Sequence, residues 1–115
     1  PQALEALGRR DLEALGSAAL ASYSRMPAAM IASAPPVLYW LPGTLAVIHE
    51  CRRLRAEGIG AWETLDAGPQ VKVLCQAAES ALIEQRLRAL PDLGPAVRLI
   101  VARPGQGPAC QVTEA

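Results

Sequence analysis

The stretch of this sequence whose residue types most invite chemistry is Asp66-Ala67-Gly68-Pro69, set between two apolar runs. A carboxylate that ends a strand in a tight turn can be aimed rigidly into a cleft, where it can take or polarise the proton of a ligand hydroxyl. Ala67 and Gly68 add almost no bulk, so a phosphorylated ligand can approach the backbone closely. The same residues also have a purely structural use. Asp commonly opens an Asx-turn, its side chain bonding the turn's own backbone. From the residues alone the turn is the commoner role.

Other candidates are weaker. Gly105-Gln106-Gly107-Pro108 could form a backbone nest for an anion, but a terminal turn is the plainer reading. His49, the one histidine, sits in a helical pattern, and Cys51 two positions on faces elsewhere, so the two cannot share a metal. Cys75 closes a strand pattern and reads as a structural thiol. Arg52, Arg53 and Arg55 read as a solvated basic helix face flanked by Glu50 and Glu57. Tyr39-Trp40 reads as packing over the Pro35-Pro36 loop. No CxxC pair and no GxxxxGK[ST] loop occurs, so no metal site is expected within the chain.

The elements that must position these residues follow from periodicity. Ala3, Leu4 and Leu7 suggest a short opening helix ending at Gly8. Asp11 is a fitting N-cap for a second helix with Leu12, Leu15, Ala19, Tyr23 and Met26 on one face, and Pro27 should end or bend it. Pro35, Pro36 and Pro42-Gly43 mark a loop. Thr44 is a candidate cap for a third helix striped by Leu45, Ile48, Cys51 and Leu54 and stopped by Gly58. Residues 59–65 and 71–75 then read as two strands joined by the Asp-Ala-Gly-Pro turn into a hairpin, and 78–90 as a fourth helix with Leu82, Ile83, Leu87 and Leu90 inward. Glu84 and Arg88 form an i,i+4 pair, Pro91 stops the helix, and residues 96–102 read as a last strand. Leu45, Ile48, Leu54, Val71, Val73, Leu82, Leu87 and Ile100 should supply the core.

The order α-α-α-β-β-α-β implies an α+β fold with a small antiparallel sheet backed by helices. Three strands make a thin sheet. One further strand upstream would complete a four-stranded ferredoxin-like sheet, and the abrupt helical start suggests a fragment.

Composition narrows the function classes. The 115 residues suit one domain, 1–115, with eleven basic residues against eleven acidic ones. That balance, with few aromatics and no Phe, argues against nucleic-acid partners and against a membrane-surface protein. No apolar run nears the ~20 residues that span a bilayer. Cys51, Cys75 and Cys110 are odd in number and widely spaced, which fits reduced thiols in the cytoplasm.

Three stretches carry a family resemblance: Arg25 to Ile48, with its Pro-Pro loop and aromatic pair; Gly58 to Cys75, with the Asp-Ala-Gly-Pro turn followed by Val-Lys-Val-Leu; and Val97 to Pro108, with its Gly-x-Gly-Pro ending. Together they resemble the C-terminal domain of diphosphomevalonate (mevalonate diphosphate) decarboxylases, of the GHMP kinase superfamily. Three features depart from the family pattern. Pro27 stands where the family usually has His, the Thr-Thr pair that follows it in the family is absent, and Gln70 stands where the family usually has Asn.

The resemblance implies a ferredoxin-like GHMP C-terminal domain from an ATP- and Mg²⁺-dependent enzyme that converts mevalonate diphosphate to isopentenyl diphosphate. It implies a small phosphorylated substrate, a missing N-terminal domain that binds most of the nucleotide, and room for a homodimer. It also implies that Asp66 lies against the substrate's tertiary hydroxyl, with Ala67 and Gly68 beside the substrate. A phosphomevalonate decarboxylase or a related GHMP kinase is the alternative within the class. A non-catalytic ferredoxin-like module for ligand binding or dimerisation is the alternative outside it.

Overall fold

The computed structural model describes residues 2–107. Helices α1 (Gln2–Gly8), α2 (Leu12–Tyr23), α3 (Arg25–Ile31) and α4 (Pro42–Ala56) precede an antiparallel hairpin of β1 (Trp62–Leu65) and β2 (Val71–Leu74), and α5 (Ser80–Arg88) and a 3-10 turn (Pro91–Leu93) follow. The architecture is α+β, with helices packed on a small antiparallel sheet.

Local chemistry sets most boundaries. Asp11 is extended, and its carboxylate accepts the Ala14 N–H at 2.9 Å, capping α2. That helix breaks at Ser24, so Pro27 falls in the first turn of α3 rather than ending α2, as the sequence led us to expect. A proline is tolerated there because first-turn N–H groups have no helical partner. Helix α4 starts at Pro42, earlier than expected. Thr44 does not precede the helix as its cap but lies in the first turn, where its hydroxyl accepts the Leu41 N–H. The helix ends on Gly58, whose φ of 84° is a left-handed conformation that costs Gly nothing. Gly58 N–H reaches Arg55 C=O and Ile59 N–H reaches Leu54 C=O at 2.9 Å, the pairing of a Schellman motif.

The core lies between α4, α5 and the hairpin. Val47, Cys51 and Leu54 of α4 meet Ala61 and, from α5, Ile83 and Leu87, with Val71, Val73 and Cys75 packed against them. A second cluster joins Tyr23 of α2, Ile48 of α4 and Leu65 of β1, with Trp40 against it. Helix α2 approaches β1 so closely that the Trp62 ring lies directly on Gly16.

Three expected core residues are exposed: Leu45, Leu82 and Ile100. The inward stripe of α4 runs Thr44, Val47, Ile48, Cys51, Leu54, at three- and four-residue steps that leave Leu45 off the face. In α5 the stripe is Ile83 and Leu87, which leaves Leu82 beside it. Met26, too, is off the buried face, at 37% exposed.

The expected strand at 96–102 does not form among the described residues, and the sheet has two strands, not three. A strand is defined by ladder hydrogen bonds to a neighbour, and this segment has no neighbour to bond. Val97, Ile100 and Val101 are accordingly exposed. The first strand is also shorter than expected, Trp62–Leu65 rather than 59–65.

Candidate functional site

The hairpin register sets the geometry of the site. Thr64 pairs with Lys72 and Leu65 with Val71, and alternation then places Thr64, Asp66 and Lys72 on one side of the hairpin. Asp66 leaves β1 directly into the turn, with its side chain 82% exposed and ion-paired to the Lys72 ammonium. Among the described residues no backbone N–H of the turn donates to the Asp66 carboxylate, so the hairpin does not use it as an Asx-turn.

The turn itself is anchored from outside. The Thr44 hydroxyl donates to the Pro69 carbonyl at 2.8 Å while accepting the Leu41 N–H, which ties the turn to the start of α4. Ala67 is exposed and Gly68 half-buried. A Cβ on Gly68 would meet the Gln70 amide oxygen.

Asp66 and Gly68 form one wall of a cleft. Pro27, Met30 and Ile31 of α3 and residues 37–40 of the following loop form the other. The cleft is tight, about 10 Å³, room for roughly one water, so a ligand reaching Asp66 would lie at its mouth. Two of the three departures from the family pattern come to this site: Pro27 lines the cleft and Gln70 lies on Gly68. Tyr39 and Trp40 also line it, and Trp40 packs as well on the Tyr23–Ile48–Leu65 cluster, so the aromatic pair is both packing and cleft wall. A larger open hollow of about 340 Å³ lies between Arg88 and the loop after the 3-10 turn, and no residue of the Asp66 turn lines it.

Beneath the site, β1 is held by a buried charge network. Glu63 is 1% exposed and bonds Arg55 and the Tyr23 hydroxyl. Arg55 also donates to the Ala61 carbonyl and stacks on the Trp62 ring, 5.0 Å from its centroid. Burial, with the Glu63 charge added, raises the Tyr23 phenol above its usual range. Glu50, likewise buried, is shared by Arg53 and Arg86. Arg86 also clamps Glu57 bidentately, and those bonds hold the Glu57 carboxyl below its usual range. The arginines of α4 are therefore not one solvated face, as the sequence suggested. Arg53 and Arg55 serve buried carboxylates, and Arg52 alone is plainly exposed and outside these pairs.

The remaining sequence candidates place simply. His49 is exposed. Cys51 and Cys75 are free thiols. Burial pushes the Cys51 thiol up to about 12, and the Cys75 thiol is raised by burial and then by Glu79. Cys110 and Pro108, hence the end of the proposed anion nest, lie outside the described residues. The expected Glu84–Arg88 pair is present at 2.6 Å. Sequence reasoning missed Lys72 as the partner of Asp66, Thr44 as the anchor of the turn, and the Arg55–Glu63 pair. The hairpin register could have signalled the first, since it sets residues 66 and 72 diagonally across the turn.

Among the described residues no three His, Cys, Asp or Glu side chains converge on a common point. No helix of the described residues is long and apolar enough to cross a membrane. Asp66 stands without a second carboxylate and no phosphate-binding loop is present, so these residues by themselves do not fit a magnesium–nucleotide site.

The α+β arrangement of helices on a hairpin that carries this cleft has counterparts among solved structures. This chain is similar in sequence and fold to part of the mevalonate diphosphate decarboxylases. With the enzyme named MDDEF, in complex with MVAPP, AMPPCP and magnesium, it shares 34% identity at a TM-score of 0.73, over 78% of this chain and 28% of that one. With the mevalonate diphosphate decarboxylase from Enterococcus faecalis it shares 36% identity at a TM-score of 0.71, over 76% of this chain and 27% of that one. With that from Staphylococcus aureus it shares 29% identity at a TM-score of 0.72, over 76% and 26%. The chain thus spans little more than a quarter of the length of these enzymes, and the likeness read from its sequence holds in three dimensions. No protein-family model and no curated protein sequence matches the chain.

Proposed function

We propose that residues 1–115 are the C-terminal part of an ATP-dependent mevalonate diphosphate decarboxylase, and that Asp66 polarises or deprotonates the substrate's tertiary hydroxyl. One observation carries the reading. The segment that most resembles these enzymes in sequence is also the segment that presents an exposed carboxylate, bonded to no backbone of its own turn, on the wall of a cleft. A fixed carboxylate is the chemistry such a step needs. Ala67 and Gly68 leave the backbone open beside it for the phosphorylated substrate.

ATP and Mg²⁺ belong to the part of the enzyme outside this chain, where the nucleotide would supply the γ-phosphoryl group. Loss of phosphate and carbon dioxide would then yield isopentenyl diphosphate. The ferredoxin-like sheet belongs to the same reading: the unpaired segment at 96–102 would find its ladder on a strand from that other part. The free thiols of Cys51 and Cys75 suit a reducing cytoplasm.

Asp66→Asn in the full-length enzyme tests the assignment. Asn keeps the size of the side chain but carries no negative charge and is no base. We expect kcat to fall by about 10²–10⁴-fold, the usual cost of a positioned acid–base group, with fold and nucleotide affinity held. A fall of less than about tenfold, or roughly 1.4 kcal/mol of transition-state stabilisation, in a variant that melts normally would make Asp66 a turn residue.

A further inference from the structure

We propose that Lys72 is the counter-ion that lets an anionic, phosphorylated substrate come up to Asp66. The inference rests on the reading of Asp66 given above and adds to it a residue which that reading leaves without a role. Lys72 is the only lysine among the 115 residues. It sits on β2 opposite Thr64, on the side of the hairpin from which Asp66 projects, and its ammonium bonds the Asp66 carboxylate. It is the only cation among the described residues in ion-pair contact with Asp66, and Arg53, Arg55, Arg86 and Arg88 are engaged elsewhere, by Glu50, Glu63, Glu57 and Glu84.

The pair does little for the fold. Its side chains are 60% and 82% exposed, and exposed pairs contribute little to stability because water screens them. It interrupts an otherwise apolar strand, Val71-Lys72-Val73-Leu74. What the pair does change is the field at the cleft mouth. An unneutralised carboxylate repels a ligand that already carries several negative charges, and that repulsion grows as the arriving ligand displaces the water that screens the open turn. An ammonium bonded to the carboxylate cancels it. The ammonium has three donors, of which Asp66 takes one, and its part in the proposal is to cancel the charge of Asp66, not to bind the substrate.

The test is substrate binding in the full-length enzyme, measured by calorimetry with mevalonate diphosphate and no nucleotide, so that no turnover is needed. Lys72→Met should raise Kd by about tenfold or more, as expected when a neighbouring charge is left unneutralised. Lys72→Arg should stay within about threefold of wild type, because the charge is kept and the site is open. The decisive arm is the double variant. In an Asp66→Asn background there is no charge to neutralise, so Asp66→Asn/Lys72→Met should bind within about twofold of Asp66→Asn alone, the two effects being coupled rather than additive. All variants should melt within about 3 °C of wild type, and Lys72→Gln serves as the replacement if Lys72→Met does not. An unchanged Kd in Lys72→Met overturns the proposal. So does a loss in the double variant as large as in the single one, which would make Lys72 a direct ligand of the substrate. Neither result bears on the base role of Asp66, which is read from kcat of Asp66→Asn.

Discussion

Glu63 and Arg55 hold the strand that leads into Asp66. Glu63 lies three residues before Asp66 on the same strand. Its charge is buried, and Arg55 and Tyr23 satisfy it. No buried side-chain polar atom among the described residues lacks a partner, so the network is complete, and a complete network is costly to break at one point. Arg55→Met should destabilise by about 3–5 kcal/mol, because it strands a buried carboxylate. Replacing both partners, Arg55→Met with Glu63→Leu, should recover a good part of that loss, since an apolar pair of similar size needs no counter-charge. Urea unfolding of the three proteins measures it. A loss below about 1 kcal/mol for Arg55→Met would mean that water reaches Glu63 and that the network is looser than its bonds suggest.

At the scale of elements, the contact of α2 with β1 decides how rigidly the hairpin is held. A Cβ on Gly16 would stand 2.2 Å from Cγ and Cδ2 of Trp62, a clash with a stiff ring rather than a flexible tip. Gly16→Ala gains roughly 1 kcal/mol of helix propensity and loses about 1–3 kcal/mol to overpacking. We expect a net fall in melting temperature of several degrees, on the scale of about 4–8 °C per kcal/mol for a domain this small. Gly8→Ala, where a Cβ would meet nothing within 4 Å, is the control and should be close to neutral. Equal melting temperatures for the two variants would place Trp62 away from α2.

The same elements show what a sequence can and cannot reveal. Helices α2, α4 and α5 were legible because apolar steps of three and four agreed with caps at Asp11 and Gly58. The hairpin was legible because turn residues separate two apolar runs. Strand β1 was half-hidden, since its buried side reads Ala61, Glu63, Leu65 and a charge interrupts the alternation. That Glu63 is inward depends on Arg55, eight residues earlier on a different element, and no local pattern carries that. Residues 97–101 mislead in the opposite sense. Their side chains suit a strand, but a strand needs a neighbour, and propensity does not provide one. At the site, Asp66 could be singled out from its turn and its resemblance, whereas the Thr44 anchor and the Lys72 partner needed the register and the docking of α4.

The molecule as a whole is more open than its length predicts. Its radius of gyration is 16.4 Å, where a compact domain of this size has about 13 Å. Apolar side chains stand exposed at both ends of the described chain: Leu4 and Leu7 in α1, and Val97, Ile100 and Val101 in the last segment. Surfaces of that kind usually belong against something, and relatives nearly three times as long supply a candidate in the parts this chain does not match. The cleft points the same way. It offers one carboxylate, one ammonium and an open turn, and no phosphate cradle among the described residues, so under the proposed function it would make one wall of a site for phosphoryl transfer, a reaction whose catalysis is almost entirely positioning and charge stabilisation. We therefore expect the 115-residue chain to show no turnover when incubated with ATP, Mg²⁺ and mevalonate diphosphate, with phosphate release as the readout. Turnover that rises in proportion to the chain and persists through a second purification would mean that its own residues assemble the nucleotide site, and would overturn the division of labour proposed here. Inactivity has a positive counterpart. Adding the separately produced remainder of the enzyme should restore turnover, and the restored rate should saturate with the added part, because assembly of the site then follows the binding of one half to the other. Restoration with wild type but not with Asp66→Asn would locate the contribution of this chain in a single carboxylate.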